Sequence, residues 1–219
     1  CSLATIALIA RATEKLHHNG LVHGDMRLSN VVLVDPTPKE IKDLTTEESQ
    51  DAKAKDKKEM LKWLSNGRTK LPKIIDYCLS GPPETTFYPP GFNTDLPDVE
   101  RHPGAKENEP LKAIHDVYAV LSFIRLYNFD TEVKNSVEDT LKMLGDFGST
   151  LKPSQGGNSS QQSCNSVWQP FWELIKCLKG KKVDFFGDYK KSSSCSTPQN
   201  SVSHGTGSPT KEEQNKGTV

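Results

Sequence analysis

Near the N-terminus the apolar residues fall at Leu3, Ile6, Ile9, Ala12 and Leu16, with Leu8 alongside. This spacing predicts a helix over 3–16, and Asn19-Gly20 supplies a left-handed stop. Two short apolar runs, Leu21-Val22 and Val31-Val32-Leu33-Val34, flank a polar loop and predict small strands, with Asp35-Pro36 ending the second. Sixteen of the 35 positions in 36–70 are charged. That stretch is expected to be a solvated insertion, helical around 47–65, docked by Met60, Leu61, Trp63 and Leu64. Leu71 to Cys78 (LPKIIDYC) resumes a strand-like pattern, and the Pro- and Gly-rich residues 80–110 predict a long irregular segment. In a compact domain such a segment is usually functional or disordered.

Ile114 to Tyr127 is the most apolar helical stretch and the expected core helix; Val133 to Leu144 predicts a second, amphipathic one. Residues 149–166 resemble a Ser/Gln/Gly linker, and Val167 to Leu178 reads as a third helical segment, interrupted or started by Pro170. Among residues 190–219 only Cys195, Val202 and Val219 are hydrophobic, so 189–219 is expected to be a disordered tail. A single domain over 1–188 is the resulting organisation, and there is no internal repeat.

Composition narrows the classes. Hydrophobic residues are 34% of the 219, low even after the 15 glycines are added, which agrees with part of the chain being unpacked. Lys+Arg and Asp+Glu are both 28, so bulk attraction to nucleic acid or an anionic membrane is not expected. The cysteines at 1, 78, 164, 177 and 195 form no CxxC pair and suit reduced thiols in an intracellular, cytoplasmic protein. The longest strongly apolar run, Ile6 to Ala10, is far short of the roughly 20 residues that span a bilayer. The chain starts at Cys1 and reads as a piece of something longer.

The chemically informative stretch is Leu16 to Leu33, LHHNGLVHGDMRLSNVVL. His23-Gly24-Asp25 is followed by Arg27 and, five positions after the aspartate, by Asn30. This resembles the catalytic loop of the protein-kinase-like superfamily, His-x-Asp-x-x-x-x-Asn after a helix ending in Leu-His. The resemblance covers roughly residues 3–127. It implies an α+β, protein-kinase-like fold, a mainly helical C-terminal lobe with a small β element.

Under that resemblance Asp25 would orient the acceptor hydroxyl and take its proton, and Asn30 would offer an amide oxygen to Mg²⁺. Arg27 would clamp phosphate, and Asp76, after an apolar strand, would be the second metal ligand. Two carboxylates near 4 Å repel by roughly 4 kcal/mol at an effective dielectric of 20, which favours a cation between Asp25 and Asp76. Asp146-Phe147-Gly148 copies the family's metal-binding tripeptide, but it follows the helical Leu141-Lys142-Met143-Leu144 and comes after the core helix. Asp184-Phe185-Phe186-Gly187 fails in the same way. Asp116 resembles the buried-helix aspartate that holds the catalytic-loop backbone, and His23 would be a packing and hydrogen-bonding residue, not a base.

Tyr77-Cys78 in place of Phe-Gly, the absence of Ala-Pro-Glu and the Gly24 substitution bring the chain closer to divergent fungal and Crinkler-type kinase-like proteins. Without an arginine at position 24, control by a phosphorylated activation loop is not expected. No Gly-rich loop or strand lysine precedes Cys1, so the N-terminal lobe is expected to be absent and the fragment alone inactive. Blander readings stand beside these. Asp76 is then a turn residue, Asp116 a helix cap, Arg27 a surface arginine, His17 and His18 solvated or structural, and Trp168, Phe171 and Trp172 core.

The expectation is thus an ATP- and Mg²⁺-dependent phosphotransferase acting on a Ser/Thr hydroxyl of an unspecified protein, without nucleic-acid or membrane partners. The alternatives are a small-molecule phosphotransferase of the aminoglycoside or choline kinase type and a non-catalytic pseudokinase scaffold. The first would be expected to carry an acidic residue two beyond Asp76, where Cys78 stands.

Overall fold

A computed structural model describes residues 2–41, 64, 70–92, 100–127, 129–150 and 160–180. The body of the charged insertion, the Asp184 run, the tail and residues 151–159 lie outside these. In order come helix α1 (Leu3–His18), a 3₁₀ turn (Leu28–Asn30), strands β1 (Val31–Val34) and β2 (Leu71–Ile74), and helices α2 (Ala113–Ser122), α3 (Thr131–Thr150) and α4 (Ser160–Gly180). The architecture is mixed α+β: helices around one core, with a two-stranded antiparallel sheet beside it.

Helix α1 begins where the Ser2 side chain accepts a hydrogen bond from the Thr5 N–H at 3.2 Å. Residues Leu3 through Ala10 are all buried, so its first two turns are enclosed on every face. It ends as the glycine signal indicates: Gly20 takes φ +75°, Leu21 N–H reaches Leu16 O at 3.2 Å and Gly20 N–H reaches His17 O at 2.9 Å. That pair of bonds satisfies two otherwise orphaned carbonyls. Lys15 sits in the last turn, where its positive charge suits the helix dipole.

Helix α2 is buried from Ile114 to Ser122 and packs against α1, α3 and α4. It is shorter than the apolar pattern suggests. Beyond Ser122 the chain tightens into i→i+3 bonds, such as Arg125 N–H to Ser122 O at 2.9 Å, up to Tyr127. Asp130 accepts from the Val133 N–H at 2.8 Å and opens α3, whose Val133, Val137, Leu141 and Leu144 face the core. Helix α4 passes through Pro170 instead of starting or breaking there. Trp168 and Phe171 on either side are fully buried, and that packing outweighs the lost backbone bond. The expected linker at 149–166 is therefore shorter, because α3 runs to Thr150 and α4 already starts at Ser160.

Strands β1 and β2 pair in the register Val31↔Ile74, Val32↔Lys73, Leu33↔Pro72 and Val34↔Leu71. A two-stranded ribbon is marginal alone, and β2 gains its support by packing on α1. After β1 the insertion opens with a reciprocal cap: Thr37 N–H donates to Glu40 Oε2 at 2.8 Å and Glu40 N–H to Thr37 Oγ1 at 3.2 Å. Of the apolar residues expected to dock that insertion, Leu64 is buried. Among the described residues no helix is long and apolar enough to cross a membrane.

Two buried histidines make the fold sensitive to acid. Burial, reinforced by neighbouring His102, pushes His115 from 6.5 down to about 3, and burial also lowers His102. Below about pH 6.5 the unfolded chain takes up protons that the folded chain refuses, so stability present above that pH is lost as pH falls toward 3. The slope is about 1.4 kcal/mol per pH unit for each such group. Urea melts at pH 7 and pH 5 should show this loss, and His115→Gln should flatten it; equal wild-type stability at both pH values would disprove it.

Candidate functional site

The polar loop between α1 and β1 is suspended from α2. Asp116 Oδ2 accepts from the His23 backbone N–H at 2.7 Å, and its Oδ1 from the Gly24 N–H at 3.0 Å. His17, at the end of α1, contacts the same Oδ2 through Nε2 at 2.9 Å. The indole of Trp168 can only donate, and its Nε1–H lies 2.9 Å from His17 Nδ1. Nδ1 is therefore an acceptor, and Nε2 carries the hydrogen toward Asp116. A buried line of hydrogen bonds thus runs from α4 through α1 to α2 and into the loop. Asp116 does not cap its helix, because its carboxylate is committed to the loop and to His17.

Gly24 occupies φ +78°, and a Cβ there would stand 3.1 Å from the Leu111 side chain and 3.3 Å from the Leu79 carbonyl. The backbone conformation favours glycine at this point, and a side chain would also press on its neighbours by a few tenths of an ångström. His23 is fully buried; its Nε2 lies 3.0 Å from Ile75 O, while Nδ1 accepts from the Asp25 N–H at 3.3 Å. It ties the loop to the chain leaving β2. Ile75 N–H also donates to Asn30 O at 2.9 Å, continuing the β1–β2 ladder to the loop's end.

Asp25 is 7% exposed and both of its carboxylate oxygens are engaged. Asn30 Nδ2 donates to Asp25 O at 2.9 Å and lies 3.1 Å from Oδ2. With its nitrogen committed this way, Asn30 keeps its amide oxygen as the atom available to a ligand. Arg27 Nε stands 3.2 Å from Oδ2, an ion-pair distance without hydrogen-bond alignment. On the other oxygen, Oδ1, Arg101 Nη2 donates at 2.7 Å.

Asp76 takes φ +61° one residue past the Asn30–Ile75 bond and is solvent-exposed. Hydrogen bonds from the Cys78 thiol and backbone N–H hold its carboxylate below the usual range, with Arg27 and His23 adding a smaller pull. The same contact raises the Cys78 thiol, which makes it a poor nucleophile. The backbone thus brings position 76 beside the loop, where its carboxylate takes hydrogen bonds from Cys78 and lies within reach of the charges on Arg27 and His23. The negative charge of Asp25 is met by Arg27 on one oxygen and Arg101 on the other.

Arg101 and Trp168 escaped the sequence reading in these roles. Arg101 comes from a Pro/Gly-rich stretch without periodicity, and nothing in its spacing ties it to Asp25. Trp168 reads as core, which it is, and its N–H partner lies 151 positions away. The chain matches no family model, no curated protein and no solved structure. Among the described residues no group of three or more His, Cys, Asp or Glu is placed to hold a metal ion.

Replacing Asp116 strands two backbone donors and His17 in a dry environment. Asp116→Ala should cost on the order of 3 kcal/mol in denaturant melts and speed amide exchange at His23 and Gly24. Asp116→Asn, which keeps one acceptor, should cost less; an unaffected exchange rate in the alanine variant would remove the assigned support.

Proposed function

We propose that this chain is the helical lobe of a protein-kinase-like phosphotransferase that moves the γ-phosphoryl group of ATP to a Ser/Thr hydroxyl. The observation that carries the reading is the Asp25–Asn30 pair, held side chain to main chain in a loop suspended from Asp116. In this reading the Asp25 carboxylate orients the acceptor hydroxyl and receives its proton. Asn30 fixes Asp25, and Arg27, partly exposed beside it, meets phosphate oxygens. Asp116 and His23 hold the loop's shape.

The donor set suits Mg²⁺ in number and hardness: the Asn30 amide oxygen and the Asp76 carboxylate, with phosphate and water completing the shell. Asp76 would have to exchange its bond to Cys78 for that task. Bound there, Mg²⁺ would neutralise negative charge on the phosphates.

The same Asp76–Cys78 bond, with the arginines already on Asp25, favours a second reading: a pseudokinase scaffold whose cluster is satisfied without metal. Melting the full-length protein that contains this lobe with ATP, with Mg²⁺ and with both separates the two. The enzyme reading expects a Mg²⁺-dependent rise with ATP that Asn30→Ala and Asp76→Ala lose. It also expects transfer from labelled ATP that Asp25→Ala reduces by about 100-fold or more while nucleotide binding persists. No Mg²⁺-dependent rise would favour the scaffold, and transfer surviving Asp25→Ala would refute the role of Asp25. Label appearing on a small hydroxylated acceptor instead of protein would point to small-molecule transfer.

A further inference from the structure

The segment between β2 and α2 delivers a guanidinium to the candidate site. The Arg101 side chain is 8% exposed, lies over the Phe92 ring at 4.2 Å, and gives Nη2 to Asp25 Oδ1 at 2.7 Å. Its Nε, on the same edge of the guanidinium, is buried with no acceptor among the described residues. That edge grips two oxygens when it binds a carboxylate or phosphate side-on, and here half of it is used. Arg27 Nε, buried on the other side of Asp25, is likewise without an aligned acceptor. Two guanidinium groups therefore meet one carboxylate.

Arg101 is not a loose arm that drifted onto an aspartate. The residue before it, Glu100, pairs with Arg125 and accepts from the Tyr118 hydroxyl at 3.3 Å. The residue after it, His102, bonds through Nε2 to Leu144 O at 3.1 Å and accepts from the Gly104 N–H at 2.9 Å. With both neighbours fixed and its guanidinium stacked on Phe92, the unpaired Nε belongs to a built site.

We propose that Arg101 reads the acceptor: its unpaired Nε–H binds an oxyanion, phosphate or carboxylate, carried next to the hydroxyl that Asp25 orients. The substrate class is then an acidic or already phosphorylated acceptor. The anion site stands on the geometry, while its assignment to the acceptor rests on the phosphotransferase reading.

The test is an NMR titration of the full-length protein that contains this lobe, following the arginine Nε–Hε signals as inorganic phosphate or acetate is added against a chloride control. The signal missing from Arg101→Lys should shift saturably in wild type, with phosphate, acetate or both telling which oxyanion fits. No saturable shift with either anion, or an equal response of the remaining signals in Arg101→Lys, overturns the site. Should that variant fail to fold, Phe92→Leu, which removes the stacking partner, should weaken the response at least threefold; an unchanged response overturns it. A phosphate response abolished by saturating ATP and Mg²⁺ would place the anion under the nucleotide and refute the acceptor assignment. Mg²⁺-dependent ATP binding with a silent Arg101 sinks only this inference. An Arg101 response without such ATP binding keeps the anion site and removes both the transferase reading and the acceptor assignment.

Discussion

The buried carboxylate of Asp116 is the constraint on which the loop's geometry depends. It carries negative charge at 1% exposure, which is costly unless every lone pair facing the interior is satisfied. Three donors satisfy it: two consecutive backbone N–H groups of the loop and the ring of His17. Those N–H groups belong to a chain reversing direction through a left-handed glycine, where no strand or helix partner is available to them. The aspartate and the loop each supply what the other lacks, and His17 and Trp168 carry the arrangement into the hydrophobic core.

Around this centre charge is balanced locally. Asp25 receives Arg27 and Arg101, Asp76 receives Cys78, and Glu100 receives Arg125, which also reaches Glu138 on α3 at 2.6 Å. The exposed partners among these contribute little stability individually. The Asp25–Arg101 pair differs because both side chains are at or below 10% exposure, so removing either leaves its partner charged in a dry setting.

Much of the fold was legible because it rests on local signals. The 3.6-residue spacing in α1 and α3, the Asn19-Gly20 stop and the short apolar runs at β1 and around β2 each act over a few residues. The less legible features are non-local. The length of α2 is set by a switch to i→i+3 bonds that apolar spacing does not encode, and α4 crosses Pro170 because of burial that sequence does not display. At the candidate site, Asp25 and Asn30 could be named from a motif within one loop. The placement of Arg101 depends on how Glu100 and His102 are fixed, and that knowledge requires the packed helices. The Cys78 bond to Asp76 was within reach of the sequence, since a side-chain oxygen two residues before an N–H is a common turn and a turn role was one of the two readings of Asp76.

The tripeptide Glu100-Arg101-His102 joins three parts of the fold: α2 and the turn after it through Tyr118 and Arg125, the polar loop through Asp25, and α3 through the Leu144 carbonyl. Each contact consumes one residue, so the backbone that presents the Arg101 guanidinium is pinned to the helical core on both sides of it.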